Sequence, residues 1–162
     1  MPYDPHWAAS FEAIRKELSE ALGELALRIE HVGSTSVPGL SAKPIIDIDV
    51  VISGYDVFPE TVNRLRQAGY LHEGDLGIPG REAFCYEEKQ HLQKHHLYVC
   101  SADSAELHRH ITFRNYLREH PEAAAAYAAV KEEAARLYPD SIENYMQFKT
   151  KIIEELYEGC GL

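Results

Sequence analysis

The chain has 162 residues, 45% of them hydrophobic, enough for a full core and the length of one ordinary domain, so residues 1–162 are expected to form a single domain. Sixteen basic against 26 acidic side chains leave a formal net charge of −10, which disfavours nonspecific attraction to nucleic acid or to an anionic membrane, although a local basic patch could still hold phosphates. The opening "MPYDPHW" lacks a basic stretch followed by an apolar one, and no apolar run is long enough to span a bilayer, so a soluble cytoplasmic protein is expected. Cys85, Cys100 and Cys160 lack a CxxC spacing and fit reduced thiols better than a disulfide framework.

In chain order, Asp4 is placed to cap a helix with Pro5 at its first position. Trp7, Phe11, Ile14, Leu18, Ala21, Leu22 and Leu25 then recur at helical spacing. "LRIEHVG" reads as a short strand ending at Gly33, and after the connection "STSVPGLSAKP" a second strand runs from Ile45 to Ile52. "PETVNRLRQAGY" predicts a helix from about Pro59 to Ala68. "REAFCYE" and "KHHLYVC" predict two strands of a hairpin around a polar turn at Glu88 to Gln90. Beyond them Asp103 and Glu106 form a candidate capping box, Pro121 opens an alanine-rich helix, and Asp140 with Glu143 is placed to cap a third. The pattern is α/β (α+β): a mixed sheet with a C-terminal helical set that must cover it. Trp7, Phe11, Phe113 and Tyr116 sit at helical spacing and are expected in the core.

The second strand carries an anomaly. Ile46, Ile48, Val50 and Ile52 alternate with Asp47, Asp49 and Val51, so both carboxylates share one face. Residues i and i+2 of a strand stand roughly 6.5 to 7 Å apart, so the two anions repel unless a cation lies between them. A divalent metal is the natural partner, with Asp47 and Asp49 as its ligands. Without one, Asp49→Asn is expected to relieve the repulsion and stabilise the chain.

"GSTS" just before this strand has the chemistry of a phosphate-binding turn: Gly33 allows close backbone approach, and Ser34, Thr35 and Ser36 supply hydroxyl and amide donors. Alone it also fits an ordinary turn. Followed by Asp-x-Asp on a neighbouring strand, it can join a phosphate cradle to a Mg²⁺ or Mn²⁺ site, as phosphoryl and nucleotidyl transfer require. Lys43, close to the turn, is a phosphate candidate, and Arg81 could reach the same cleft. Arg114 and Arg118, with Lys131 and Lys149 one turn after Tyr127 and Tyr145, could form a basic wall for a triphosphate; solvated surface pairs are the alternative. On "KHHLYVC", Leu97 and Val99 should face the core, which puts His96 and Tyr98 on the aspartate side and His95 on the other, structural, side. His96 could act as ligand or proton acceptor; a partly buried histidine bonded to a backbone carbonyl is the alternative. "HLQKHH" and "HRH" do not bring ligands together at zinc spacing.

"HVGSTSVPGLSAKPIIDIDVVI", "HHLYVC", "FRNYLREHP" and the later "Y...VK" and "Y..FK" spacings resemble the GrpB-like family of the nucleotidyltransferase superfamily, over about Asp4 to Leu156. The resemblance implies a nucleotidyltransferase-like fold, with Gly33 and Ser34 matching the superfamily's Gly-Ser motif and Asp47 and Asp49 its paired metal carboxylates. The third carboxylate that polymerase-like members carry on a later strand is missing, and His96 stands where it would be sought. Similar domains occur fused to dephospho-CoA kinase, which hints at a coenzyme A-linked role. Two functions follow as expectations. One is a metal-dependent nucleotidyltransferase using a nucleoside triphosphate and a small acceptor, with Asp47, Asp49 and His96 catalytic. The other is a noncatalytic nucleotide- or coenzyme-binding module with a degenerate site.

Overall fold

The computed structural model describes residues 2–87, 89–137, 140, 141, 143, 144, 147, 150, 154, 155 and 158. The first helix, α1, spans His6–Leu22 and buries Trp7, Phe11, Ile14, Leu18 and Leu22, the stripe that the spacing predicts. Asp4 Oδ1 accepts from the His6 backbone N–H at 2.9 Å, so this carboxylate satisfies an orphan donor of the first turn. At the other end Arg64 Nη1 donates to Leu22 O at 2.8 Å.

Five strands follow: β1 Arg28–Val32, β2 Ile46–Ile52, β3 Leu71–Gly74, β4 Arg81–Cys85 and β5 His95–Ser101. They form one mixed sheet in the order β1-β2-β5-β4-β3, parallel between β2 and β5 and antiparallel elsewhere. The β4–β5 hairpin matches expectation. β3 does not appear in the sequence reading: its four residues are exposed or half-exposed at the sheet edge, so they carry no apolar alternation.

The two faces of the sheet differ. On one, Ile46, Ile48, Val50, Ile52, Leu97 and Val99 meet α1 and the helix α2 (Phe58–Gln67) in the main core. On the other, α3 (Ala105–Glu119) lays Leu107 and Ile111 over Val51 and Cys100 only, leaving Asp47, His96 and Tyr98 uncovered by that cluster. The last helix, α4 (Pro121–Leu137), packs on α3 and closes a small cluster of Val37, Leu40, Leu117, Ala124 and Tyr127. The chain from Ser34 to Leu40 is thereby held between sheet and helices.

The cap of α3 is Ser104, not Asp103. Ser104 Oγ accepts from the Leu107 N–H at 3.3 Å, while the Asp103 carboxylate accepts from Ser101 Oγ at 2.7 Å. Trp7 and Phe11 are buried as expected; Phe113 and Tyr116 are partly buried and border the small cluster instead. The helix expected after Asp140 falls largely outside the described residues, as do Tyr145, Lys149 and Cys160. No helix among the described residues is long and apolar enough to cross a membrane.

Candidate active site

The strand register assembles the site. Asp47 lies opposite Val32 of β1 and His96 of β5, and Asp49 lies opposite Glu30 and Tyr98. Period two therefore puts Glu30, Asp47, Asp49, His96 and Tyr98 on the face away from the main core. Gly33, directly after β1, adopts φ +76, and a Cβ added there would overlap the Asp47 carboxylate. Only glycine lets the turn approach the strand this closely. Ser34–Ser36 then form one 3₁₀ turn whose Thr35 and Ser36 are buried. Thr35 Oγ1 stands 2.9 Å from His31 Nε2, so its hydroxyl supports the turn from within.

Each aspartate of the pair meets a histidine of the protein itself. His96 Nδ1 is 3.0 Å from Asp47 Oδ1, and the hydrogen bond and charge of Asp47 raise the imidazole pKa despite partial burial. His110 Nδ1 is 2.6 Å from Asp49 Oδ2, and its Nε2 is 3.2 Å from Glu106 Oε1. Burial pulls the His110 imidazole down, but Asp49 and Glu106 outweigh it and the net shift is upward. Asp49 itself is 0% exposed and its Oδ1 has no hydrogen-bond partner among the described residues.

Sequence reasoning missed two members of this cluster. His110 was visible only as one half of Glu106–His110 at i,i+4, a spacing that places both on one face of a helix. Glu30 is a third carboxylate on the aspartate face, on β1 rather than on the later strand, where β5 offers only His96, Tyr98 and Cys100. It is neutralised by Arg114 Nη1 at 2.7 Å and Arg28 Nη1 at 3.2 Å, so it braces cations instead of opening toward a metal.

A cavity of about 250 Å³ opens over this face, lined by Gly33, Ser34, Asp47, Arg81 and Arg114 among others. The Arg81 guanidinium lies 4.1 Å from the Tyr98 ring centroid. Lys131 Nζ donates to Ser34 Oγ at 2.8 Å, and Arg118 Nε to Ser36 O at 2.9 Å, so α3 and α4 aim cations at the serine turn. Lys43 is exposed and is not among the residues lining the cavity. His95 is on the opposite face, as expected. It is 2% exposed, with Nε2 2.7 Å from Tyr70 Oη and Nδ1 2.8 Å from Gln93 O.

Of the two carboxylates expected to hold a divalent cation, only Asp47 is accessible from the cavity. Asp47 offers a half-exposed carboxylate to the cavity, whereas Asp49 is 0% exposed and not among its lining residues; Mg²⁺ commonly takes one or two carboxylates with the rest from water and phosphate, so Asp47 is the protein oxygen that such a cation could reach. Among the described residues no group of three or more His, Cys, Asp and Glu is arranged to hold a metal unaided.

The mixed sheet with helices on both sides is a nucleotidyltransferase-like fold. Cid1 in complex with its short product ApU superposes with a TM-score of 0.58 over 91% of this chain and 48% of Cid1, at 11% identity, which speaks for the fold alone. The GrpB protein family profile matches residues 1–159, and the chain belongs to that family. The crystal structure of GrpB from Enterococcus faecalis agrees at a TM-score of 0.80 and 36% identity, covering 98% of this chain and 97% of that one. UPF0157 protein YqkA of Bacillus subtilis (strain 168) is 33% identical over 158 residues, which is 98% of this chain and 46% of YqkA. A dephospho-CoA kinase of Mycolicibacterium paratuberculosis is 28% identical over 180 residues, 97% of this chain and 44% of that protein. The chain thus spans less than half the length of either of these two relatives.

Proposed function

We propose that the cavity binds a nucleoside triphosphate with Mg²⁺ or Mn²⁺, and that the protein transfers the nucleotidyl group to a small acceptor. The observation that carries this reading is one cavity lined at once by the Gly33–Ser34 turn, the Asp47 carboxylate and two arginines, Arg81 and Arg114. Triphosphate oxygens would accept from the Ser34 hydroxyl and from Lys131, which already donates to it, while Arg114 is oriented by Glu30 to neutralise further charge. Asp47, with Asp49 beneath it, would hold the cation. When bound, that cation would supply positive charge to offset the negative charge on the leaving phosphates.

His96 and His110 occupy one oxygen of each aspartate, so in the reading proposed they exchange places with, or lie beside, the incoming positive charge. Full burial of Asp49 favours the second reading, a noncatalytic nucleotide-binding module, because a buried carboxylate paired to histidine is less available as a ligand. A coenzyme A-linked role stands on the likeness to a dephospho-CoA kinase.

Thermal unfolding with Mg²⁺ or Mn²⁺ and each of the four ribonucleoside triphosphates tests binding. A ligand at 100 times its Kd adds about 2.7 kcal/mol, and Asp47→Ala should remove the gain. An unchanged transition with every nucleotide rejects both readings; a gain without pyrophosphate release, across a pool of cell metabolites as acceptors, selects the module.

A further inference from the structure

Three basic side chains line the cavity over the site face, Arg81, His110 and Arg114, and two of them are committed to the protein. Arg114 donates to Glu30 Oε2 at 2.7 Å and to His31 O at 3.0 Å, and His110 stands between Asp49 and Glu106. Arg81 is different. Among the described residues its side chain has neither an ion pair nor a hydrogen bond: the guanidinium lies over the Tyr98 ring, 4.1 Å from the centroid, and Nε is enclosed without an acceptor. A guanidinium laid on an aromatic ring keeps its planar fork of N–H donors, the geometry that pairs with a carboxylate or a phosphate.

The backbone fixes where this charge enters. Ser104, the cap of α3, donates from Oγ to Gly80 O at 2.9 Å, and β4 begins at the next residue, Arg81, opposite Cys100 of β5. Alternation puts Arg81 on the same face as Ala83, which lies opposite Tyr98. The adjacent carboxylate, Glu82, belongs to the other face and stands 3.5 Å from His72, so it does not neutralise Arg81. In the strand order β1-β2-β5-β4, Arg114 is held against β1 by Glu30 and His31, and Lys131 against the turn after β1 by Ser34. Asp47 is on β2, and Arg81 reaches over β5 from β4. β1 and β4 are three strand spacings apart, about 14 Å. One cavity therefore takes basic groups from two separate parts of the sheet, with the Asp47 strand between them in order.

We propose that Arg81 binds an oxyanion of the acceptor, so that the acceptor is a small molecule carrying a carboxylate or a phosphate. The inference rests on the nucleotidyl-transfer reading above. With the triphosphate on Ser34, Lys131 and Arg114, the guanidinium over Tyr98 is the uncommitted basic group that the cavity offers to a second substrate. The oxyanion anchors and orients the acceptor and does not itself react. A chain of net charge −10 repels an acid at long range, so an acidic acceptor needs a local cation that no carboxylate of the protein has taken.

The Tyr98 ring reports on the guanidinium above it. In a chain carrying carbon-labelled tyrosine, the Tyr98 ring resonances are assigned by their loss in Tyr98→Phe. They are followed by NMR during titration with propionate, methyl phosphate and neutral propionamide, with and without Mg²⁺ and a non-hydrolysable ATP analogue. A saturable shift with propionate or methyl phosphate and none with propionamide is expected, and the anion that saturates assigns the acceptor's group. Arg81→Ala should weaken that anion about tenfold or more, and Arg81→Lys, which keeps the charge and loses the planar fork, should fall between. Both variants should keep the thermal gain from Mg²⁺ and nucleotide that Asp47→Ala loses. No saturable shift with either anion, an equal response to propionamide, or unchanged affinity in both Arg81 variants overturns the proposal. An anion shift that the ATP analogue abolishes, or loss of the thermal gain in both Arg81 variants, assigns Arg81 to the triphosphate and overturns the acceptor role alone. A wild-type chain that gains nothing from any nucleotide overturns the nucleotide reading and the acceptor role with it, whatever the Tyr98 ring shows.

Discussion

His95 and His96 are consecutive residues of β5, and the sheet sends them into opposite environments. His95 is buried against Tyr70, Tyr86 and Gln93, and desolvation lowers its pKa. His96 is half-exposed beside Asp47, whose hydrogen bond raises its pKa. The same contrast separates His31, stacked on Phe11 of α1 with centroids 4.8 Å apart, from His110, set between Asp49 and Glu106 on the other face. On the core face, burial disfavours the charged imidazole; on the site face, a carboxylate partner favours it. For His31, His95 and His96 strand parity decides which; His110 reaches the site face from helix α3.

The largest effect should come from breaking the site-face pairing at its most buried point. His110→Ala leaves the 0% exposed Asp49 without its cation, and removing one partner of a buried pair costs about 3–5 kcal/mol. This prediction also reverses the expectation from sequence that Asp49→Asn stabilises the chain. Repulsion between Asp47 and Asp49 is already offset by His96 and His110, so Asp49→Asn should lower stability. Urea unfolding of both variants and of the His110→Ala/Asp49→Asn double variant checks this, with the double variant expected to recover part of the single losses. An Asp49→Asn chain more stable than wild type would mean that the histidines do not neutralise the pair.

pH should then separate the faces by sign. Burial, the largest cause, lowers the His31 pKa from 6.5 to about 4. Between those values the unfolded chain binds the proton that the folded chain refuses, so stability rises with pH across that interval and is lost as pH falls from 6.5 toward 4. At 1.36 kcal/mol per pKa unit, His31 alone accounts for roughly 3 kcal/mol of acid sensitivity. His110 acts oppositely: its folded pKa is raised, so its contribution is present below the unfolded value and fades as pH rises through the folded one. Unfolding free energies measured across this range should show a steep acid limb that His31→Asn flattens. An equally steep limb in His31→Asn would assign the acid sensitivity to other groups.

Much of this arrangement is legible in the sequence, and the missing parts share one physical cause. Parity within a strand and spacing within a helix are local, so the α1 stripe, the β4–β5 hairpin, the shared face of Asp47 and Asp49, and the opposed faces of His95 and His96 can all be read. Register between strands and the landing point of a helix are not local. His110 meets Asp49 across 61 residues and Arg114 meets Glu30 across 84, and no pattern within either segment announces the partner. Lys43 shows the same limit: it is near Ser34 in sequence, but its side chain is exposed, and it is Lys131, from α4, that reaches the Ser34 hydroxyl. The cap of α3 moves by one residue because Asp103 is taken by Ser101, a contact that only the end of β5 creates.

The smallest effects test the adjacent pair directly. His95→Ala leaves the hydroxyl of Tyr70, 3% exposed, without the ring nitrogen 2.7 Å away, and an unsatisfied buried donor costs about 1–3 kcal/mol. His96→Ala removes an ion pair whose side chains are 50% and 33% exposed, where solvent screens the interaction, so its cost should stay within about 1 kcal/mol. Stability should therefore discriminate two neighbours of identical chemistry, while ligand response discriminates them the other way. His96→Ala should alter the thermal response to Mn²⁺ with a nucleoside triphosphate, because its loss frees Asp47 Oδ1, and His95→Ala should preserve it. An imidazole beside the metal site favours Mn²⁺ over Mg²⁺, and His96→Asp should shift the preference back toward Mg²⁺. If His96→Ala instead unfolds the chain as readily as His95→Ala with no change in metal response, the two histidines are both structural, and the division between a packing face and a chemical face fails at its narrowest point.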